Sequence, residues 1–201
     1  MTALETASRM DTRDLPVRIA SGAAAGLAVV PFALCSFGGE TGAEITASLL
    51  DDATSLQVGA VTATVAGALL LFAAVRLGAA VAGTAGRVLT GAGIAVAMLF
   101  VAYYASFGAG AVVAGHMLTD PGAGVGEGTA LLVNMTEITR YAPSLALTAT
   151  AVAARAWLPK GVWISAAALA VLTVFPMTSW VAALLIPLWL GISGASVPAR
   201  G

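Results

Sequence analysis

Charge is what this chain has least of. Asp, Glu, Lys and Arg together make up 9% of its 201 residues, against about 25% in a water-soluble domain. With 59% hydrophobic residues and a mean hydropathy of +0.96, too little polar surface exists to cover a soluble fold. A single cysteine, Cys35, excludes an intrachain disulfide and cysteine-built metal clusters. A single histidine, His116, excludes bis-histidine haem ligation and argues against a catalytic zinc, so no metal or other cofactor is expected. The net charge of −1, without any run of Lys or Arg, excludes a nucleic-acid surface. GxSxG, HExxH, P-loop and βαβ-type GxGxxG patterns are all missing, which removes serine-nucleophile, zinc-hydrolase and nucleotide chemistry.

What is present is a succession of apolar runs. Residues 17–38, 56–75, 88–113 and 129–154 each reach the ~20 residues that span a bilayer. The stretch 161–196 would be ~54 Å long as one helix, against an apolar core of ~30 Å. Pro176 lies within it, so two shorter helices are expected, near 162–175 and 178–195, with one long tilted helix as the alternative. The expected fold is therefore an all-α integral membrane protein, a compact bundle of about six transmembrane helices, with five or seven as alternatives. Residues 1–16, polar and mixed in charge, read as a cytoplasmic N-terminal arm and not a signal peptide, and 17–196 as a single transmembrane helical domain.

The charges support that layout. Arg9, Arg13, Arg18, Arg76, Arg87, Arg155, Lys160 and Arg200 all fall on one side of a six-span arrangement. Glu40, Glu44, Asp51, Asp52, Asp120 and Glu127 fall on the other. The positive-inside rule then places both termini in the cytoplasm, and the Ala- and Gly-rich composition suits a bacterial plasma membrane. In the first outer connection, Thr41 and Glu44 have capping-box spacing, followed by Ile45, Leu49 and Leu50 on one side. This predicts a short interfacial helix or an extension of the first span, acting as a lid. Gly22 and Gly26 form a GxxxG, and Gly91 and Gly93 open the third span. Such spacing fits close packing within the bundle, or an oligomer contact. Pro31, Pro143 and Pro187 lie inside spans, where each frees backbone carbonyls and kinks its helix.

The chemistry concentrates in the fourth span. An ionised side chain at the centre of a membrane helix costs ~2.5–3.5 kcal/mol, yet Glu137 and Arg140 both stand there. At roughly 100° per residue, Asn134, Glu137, Arg140, Tyr141, Ser144 and Thr148 share about a third of the helix circumference. A polar stripe of that length is expected to face the bundle interior or a wet cavity. It is either an ion pair that glues helices together or a functional site. If Glu137 is neutral it is a proton donor; if Arg140 holds it ionised it is a base or a cation site. In the third span, Phe100, Tyr103, Tyr104 and Phe107 fall within ~100° of each other, forming an aromatic wall able to line a core or stabilise a cation. The outer carboxylates, including Glu40, read as solvated groups, a second proton donor or a weak cation site. His116 is expected at the membrane interface.

The intramembrane carboxyl Glu137, the acids Glu40 and Glu44 near the first span, and the aromatic wall resemble, in size and arrangement, the small integral-membrane terpene cyclases. Those enzymes serve fungal meroterpenoid and actinobacterial indole-sesquiterpene pathways. The resemblance implies cofactor-independent, acid-initiated cyclisation of a lipophilic prenylated substrate, of isomerase or lyase type. Glu137 and Glu40 would be the acids and Arg140 part of the catalytic group, with Phe100, Tyr103, Tyr104, Phe107, Asn134, Tyr141 and Ser144 around the substrate. Two other functions fit the residues: a proton- or ion-coupled small-molecule transporter using Glu137 and Arg140, and a non-catalytic membrane subunit or regulator. The topology is tested by cysteine labelling on a Cys35-free background. Cysteines placed in 41–52 should react only with reagent outside the cell, and those in 155–160 only with reagent in the cytoplasm.

Overall fold

The computed structural model describes residues 15–118, 121–175 and 178–197. Among these, every regular element is a helix: α1 (Leu15–Leu34), α2 (Gly42–Asp51), α3 (Ala53–Ala79), α4 (Gly83–Val112), α5 (Ala123–Thr139), α6 (Tyr141–Ala153), α7 (Lys160–Val174) and α8 (Ser179–Ser196). A wider π turn, Val113–Met117, prolongs α4 and carries the exposed His116. Three helices are long and apolar enough to cross a membrane: α1 with 20 residues, α3 with 27, and α4 with its extension, 35. The stretch 161–196 forms two shorter apolar helices. Pro176, the expected cause of that break, lies outside the described residues, as do Arg9, Arg13, Asp120 and Arg200.

The helices form a closed ring. Helix α1 packs on α3 and α8, α3 on α4, α4 on both α5 and α6, α6 on α7, and α7 on α8. Helix α3 also touches α8 and buries Leu56, Ala63, Ala66, Leu70, Ala73, Ala74 and Leu77. Between apolar helices in lipid, association depends on close van der Waals contact, and small residues allow it. At Gly194 a Cβ would come within 2.6 Å of the Ala73 Cα, and at Gly191 within 2.8 Å of the Ser21 carbonyl oxygen. The expected packing role of Gly22 and Gly26 needs correcting. Both are exposed and a Cβ on either meets nothing within 4 Å, because Ser21, Ala24, Ala25 and Ala28 form the inward face of α1. Gly93 does pack, against Ala74, whereas Gly91 is open.

Opposite charges gather at opposite ends of the ring. Arg18 Nε donates to the Ala195 carbonyl at 3.0 Å, and the buried Arg76 donates through Nη2 to Val197 O at 2.6 Å. Two guanidinium groups thus meet the carbonyl-rich C-terminus of α8, where cations are favoured. Trp189 Nε1 on α8 donates to Val162 O at 3.3 Å and Ser165 Oγ at 2.9 Å, so the start of α7, with Lys160, lies towards that same end. At the other end Cys35 Sγ reaches Leu56 O at 3.8 Å, and α2 sits on the start of α5.

Helix α2 is built as its capping-box spacing predicts. Glu44 N–H donates to Thr41 Oγ1 at 3.3 Å, and Glu44 Oε2 accepts from the N–H groups of Thr41 at 3.1 Å and Glu40 at 2.9 Å. Those N–H donors hold the Glu44 carboxyl below the usual carboxylate range. Ile45 and Leu49 are buried while Leu50 is exposed. The hydrogen bonding described between α2 and the start of α5 runs through one hydroxyl. Thr46 Oγ1 lies 2.8 Å from Gly42 O and 3.3 Å from Gly122 O, and accepts from Gly126 N–H at 3.0 Å. A Cβ on Gly126 would overlap Gly42 O and come 2.9 Å from Thr46 N. Gly126→Leu should therefore unseat α2, costing ~1–3 kcal/mol by overpacking. Gly22→Ala should leave stability within about 0.5 kcal/mol of wild type. Denaturation in detergent, with hydrogen exchange of the α2 amides, measures both.

Candidate functional site

The fourth apolar run is not one continuous helix. It divides into α5 and α6 at Arg140, although the backbone bonds Arg140 N–H to Thr136 O (3.3 Å) and Ser144 N–H to Arg140 O (3.1 Å) continue across. Pro143 supplies the reason. It has no N–H to give the Thr139 carbonyl, and it occupies the first turn of α6, where proline is tolerated. The interruption falls in the middle of residues 123–153, one turn from Glu137.

At that point the two charged side chains meet. Arg140 Nη2 lies 3.1 Å from Glu137 Oε1, with the side chains 14% and 29% exposed respectively. The Arg140 Cζ sits 4.7 Å from the centroid of the Tyr103 ring on α4. A guanidinium over an aromatic face gains ~0.5–2 kcal/mol, more as it is desolvated. Tyr103 belongs to a stack of edge and tilted contacts, 5.0 Å from Tyr104 and 5.5 Å from Phe107, with Phe100 5.0 Å from Tyr104. Phe37, from the connection after α1, closes this group at 5.1 Å from Phe107. The sequence places Phe37 inside a first span of 17–38, but α1 ends at Leu34, which leaves Phe37 on the connection, where it reaches Phe107.

Behind the arginine is a void of about 10 Å³, lined by Val96, Phe100, Arg140, Ser144, Ala183, Ile186 and Pro187. That is close to the least space that holds one water. Arg140 Nε is buried with no hydrogen-bond partner, Ser144 is buried, and Pro187 leaves the Ala183 carbonyl without its helical N–H donor. A donor, an acceptor and a hydroxyl therefore surround a space of that size.

The sheltered seam of α5 and α6 runs through Gly126, Thr129, Val133, Ser144, Leu147, Thr148 and Ala151, with Glu137 and Arg140 partly buried between. Its centre lies between Glu137 and Arg140 on the wheel. Asn134, roughly a quarter turn away, is exposed, contrary to the shared sheltered face expected of the whole polar stripe. Tyr141 is half-buried, and Thr148 donates to Ser144 O at 2.9 Å. Leu131, Leu132, Met135 and Ile138 form the exposed apolar face. Glu40 is exposed on the connection before α2. Thus Glu137, Arg140, Phe100, Tyr103, Tyr104, Phe107 and Ser144 come together, while Asn134 and Glu40 are exposed.

Removing one partner of a sheltered pair strands the other, at ~3 kcal/mol or more when burial is complete. Arg140→Ala and Glu137→Gln should therefore each lower the unfolding midpoint in detergent, since Glu137→Gln leaves the more buried, always-charged guanidinium without its counter-ion. The double variant should be more stable than Arg140→Ala alone, and Arg140→Lys should restore stability only in part, since an ammonium does not stack as a guanidinium does. A double-mutant cycle on denaturation midpoints reads all four. No family model, curated protein or solved structure matches this chain.

Proposed function

We propose that the chain is a multi-pass protein of the bacterial plasma membrane, crossing six times with both termini cytoplasmic. In this reading Glu137 and Arg140 form the coupling site of a proton-linked carrier for a small anionic solute. The observation that carries the proposal is the Glu137–Arg140 pair itself, held at mid-helix beside a void with room for one water. In an apolar interior the site must stay neutral overall. The ion pair is neutral. If a proton reaches Glu137, Arg140 loses its partner and the site becomes cationic unless an anion joins it. A protonated Glu137 with Arg140 holding a carboxylate is neutral again. Loss of the proton restores the pair and expels the anion, so proton and anion move together. Tyr103 keeps the guanidinium in place in both states, and the interruption at Arg140 supplies a hinge of the kind broken membrane helices provide.

A second reading, acid-initiated cyclisation of a prenylated substrate, is favoured by the aromatic group around Tyr103 and Tyr104, which suits a carbocation. It ranks second because it gives the guanidinium bonded to Glu137 no part in the chemistry.

Purified protein in proteoliposomes, given an inward proton gradient and a panel of labelled small carboxylates, should accumulate at least one of them. Glu137→Gln should make that uptake indifferent to the gradient, and Arg140→Ala should abolish it. No gradient-driven uptake of any carboxylate would refute the carrier. Conversion of a farnesylated indole to an isomer of unchanged mass, lost in Glu137→Gln, would establish the enzyme instead.

A further inference from the structure

Helices α7 and α8 form an antiparallel hairpin in the ring, and a side-opening groove of about 700 Å³ runs between them. That volume lies within the range of small-molecule sites, ~300–1,000 Å³. Its walls are hydrocarbon, chiefly Leu169, Leu185, Leu188 and Ile192, with the indole of Trp189. Its indole and two of its three serine hydroxyls are already engaged. Trp189 Nε1 is committed to Ser165 Oγ and Val162 O, Ser165 Oγ donates to Gly161 O at 2.6 Å, and Ser196 Oγ to Ser193 O at 3.1 Å. The groove therefore asks its occupant chiefly for an apolar chain.

One end is different. The lining starts at Pro159 and Gly161. Lys160 between them, Arg155 one turn earlier and Trp157 are all exposed. The acidic residues described lie elsewhere: Glu40, Glu44, Asp51, Asp52 and Glu127 at or near the opposite end, and Glu137 at mid-helix. A hydrocarbon groove with two exposed cations and an interfacial tryptophan at one end complements a molecule with an acyl chain and an anionic head. We infer that the α7–α8 groove is a binding site for an anionic phospholipid, its acyl chain along Leu169 and Trp189 and its phosphate between Arg155 and Lys160. The site is independent of Glu137 and Arg140.

Native mass spectrometry of the full chain in detergent tests this, using palmitoyl-oleoyl phosphatidylglycerol against the phosphatidylcholine of the same chains. The phosphatidylglycerol adduct should be the tighter. Arg155→Ala with Lys160→Ala should weaken it by about 30-fold, to the level of the zwitterionic lipid. Ala168→Trp, which fills the groove from an exposed position, should weaken both lipids while leaving the unfolding midpoint near wild type. Equal affinity for the two lipids, or a preference for phosphatidylglycerol that survives loss of both cations, would overturn the assignment. So would a concentration-dependent dimer that shields a cysteine at position 168, since the groove would then belong to a second copy of the chain.

Discussion

A carboxylate and a guanidinium placed in the middle of an apolar bundle have to find each other. Neither can be left alone where water is scarce, and the bond between Glu137 and Arg140 meets that requirement within one helix at i,i+3. Much of the surrounding architecture follows from holding this pair. The break at Arg140 leaves the Thr139 carbonyl, one residue before the arginine, without the N–H that Pro143 lacks. Tyr103 supplies an aromatic face for the guanidinium, and the remaining rings of α4 and Phe37 hold Tyr103 in turn.

The rest of the molecule keeps that group in place with little chemistry. Alanine and glycine allow α3, α4 and α8 to approach closely, so dispersion contacts accumulate without large side chains. Two arginines from different helices, Arg18 and Arg76, converge on the last carbonyls of α8 and close the ring where α1 begins and α8 ends. At the opposite end, α2 is pinned by the Thr46 hydroxyl and by the absence of a side chain at Gly126. The polar anchors thus lie at the two ends and a charged pair at the centre, with apolar packing between.

Some of this was legible in the sequence because it depends on local rules. Charge scarcity and long apolar runs indicate membrane-compatible helices, and the structure contains three of sufficient length. The capping box at Thr41 and Glu44 forms as its spacing predicts, since an N-cap involves only neighbouring residues. The division of 161–196 into two helices followed from its length together with Pro176. The i,i+3 spacing of Glu137 and Arg140 offered an ion pair as one of two readings, and the structure contains that pair.

Other features depend on which faces of which helices meet. The GxxxG at Gly22 and Gly26 reads as a packing motif, but the inward face of α1 is the one carrying Ser21, Ala24 and Ala28. Asn134 belongs to the polar stripe on a wheel, yet the seam of α5 centres on Val133 and passes it by. Neither Phe37 beside Phe107 nor Pro187 beside Arg140 has any sequence relation to its neighbour. The sequence by itself determined helix content, the capped connection and the closeness of Glu137 and Arg140 along the chain, because each rests on composition or on residues within one turn. Tertiary structure alone decided the helix facing, the void behind Arg140 and the α7–α8 groove, because each is formed by side chains from separate helices meeting in space.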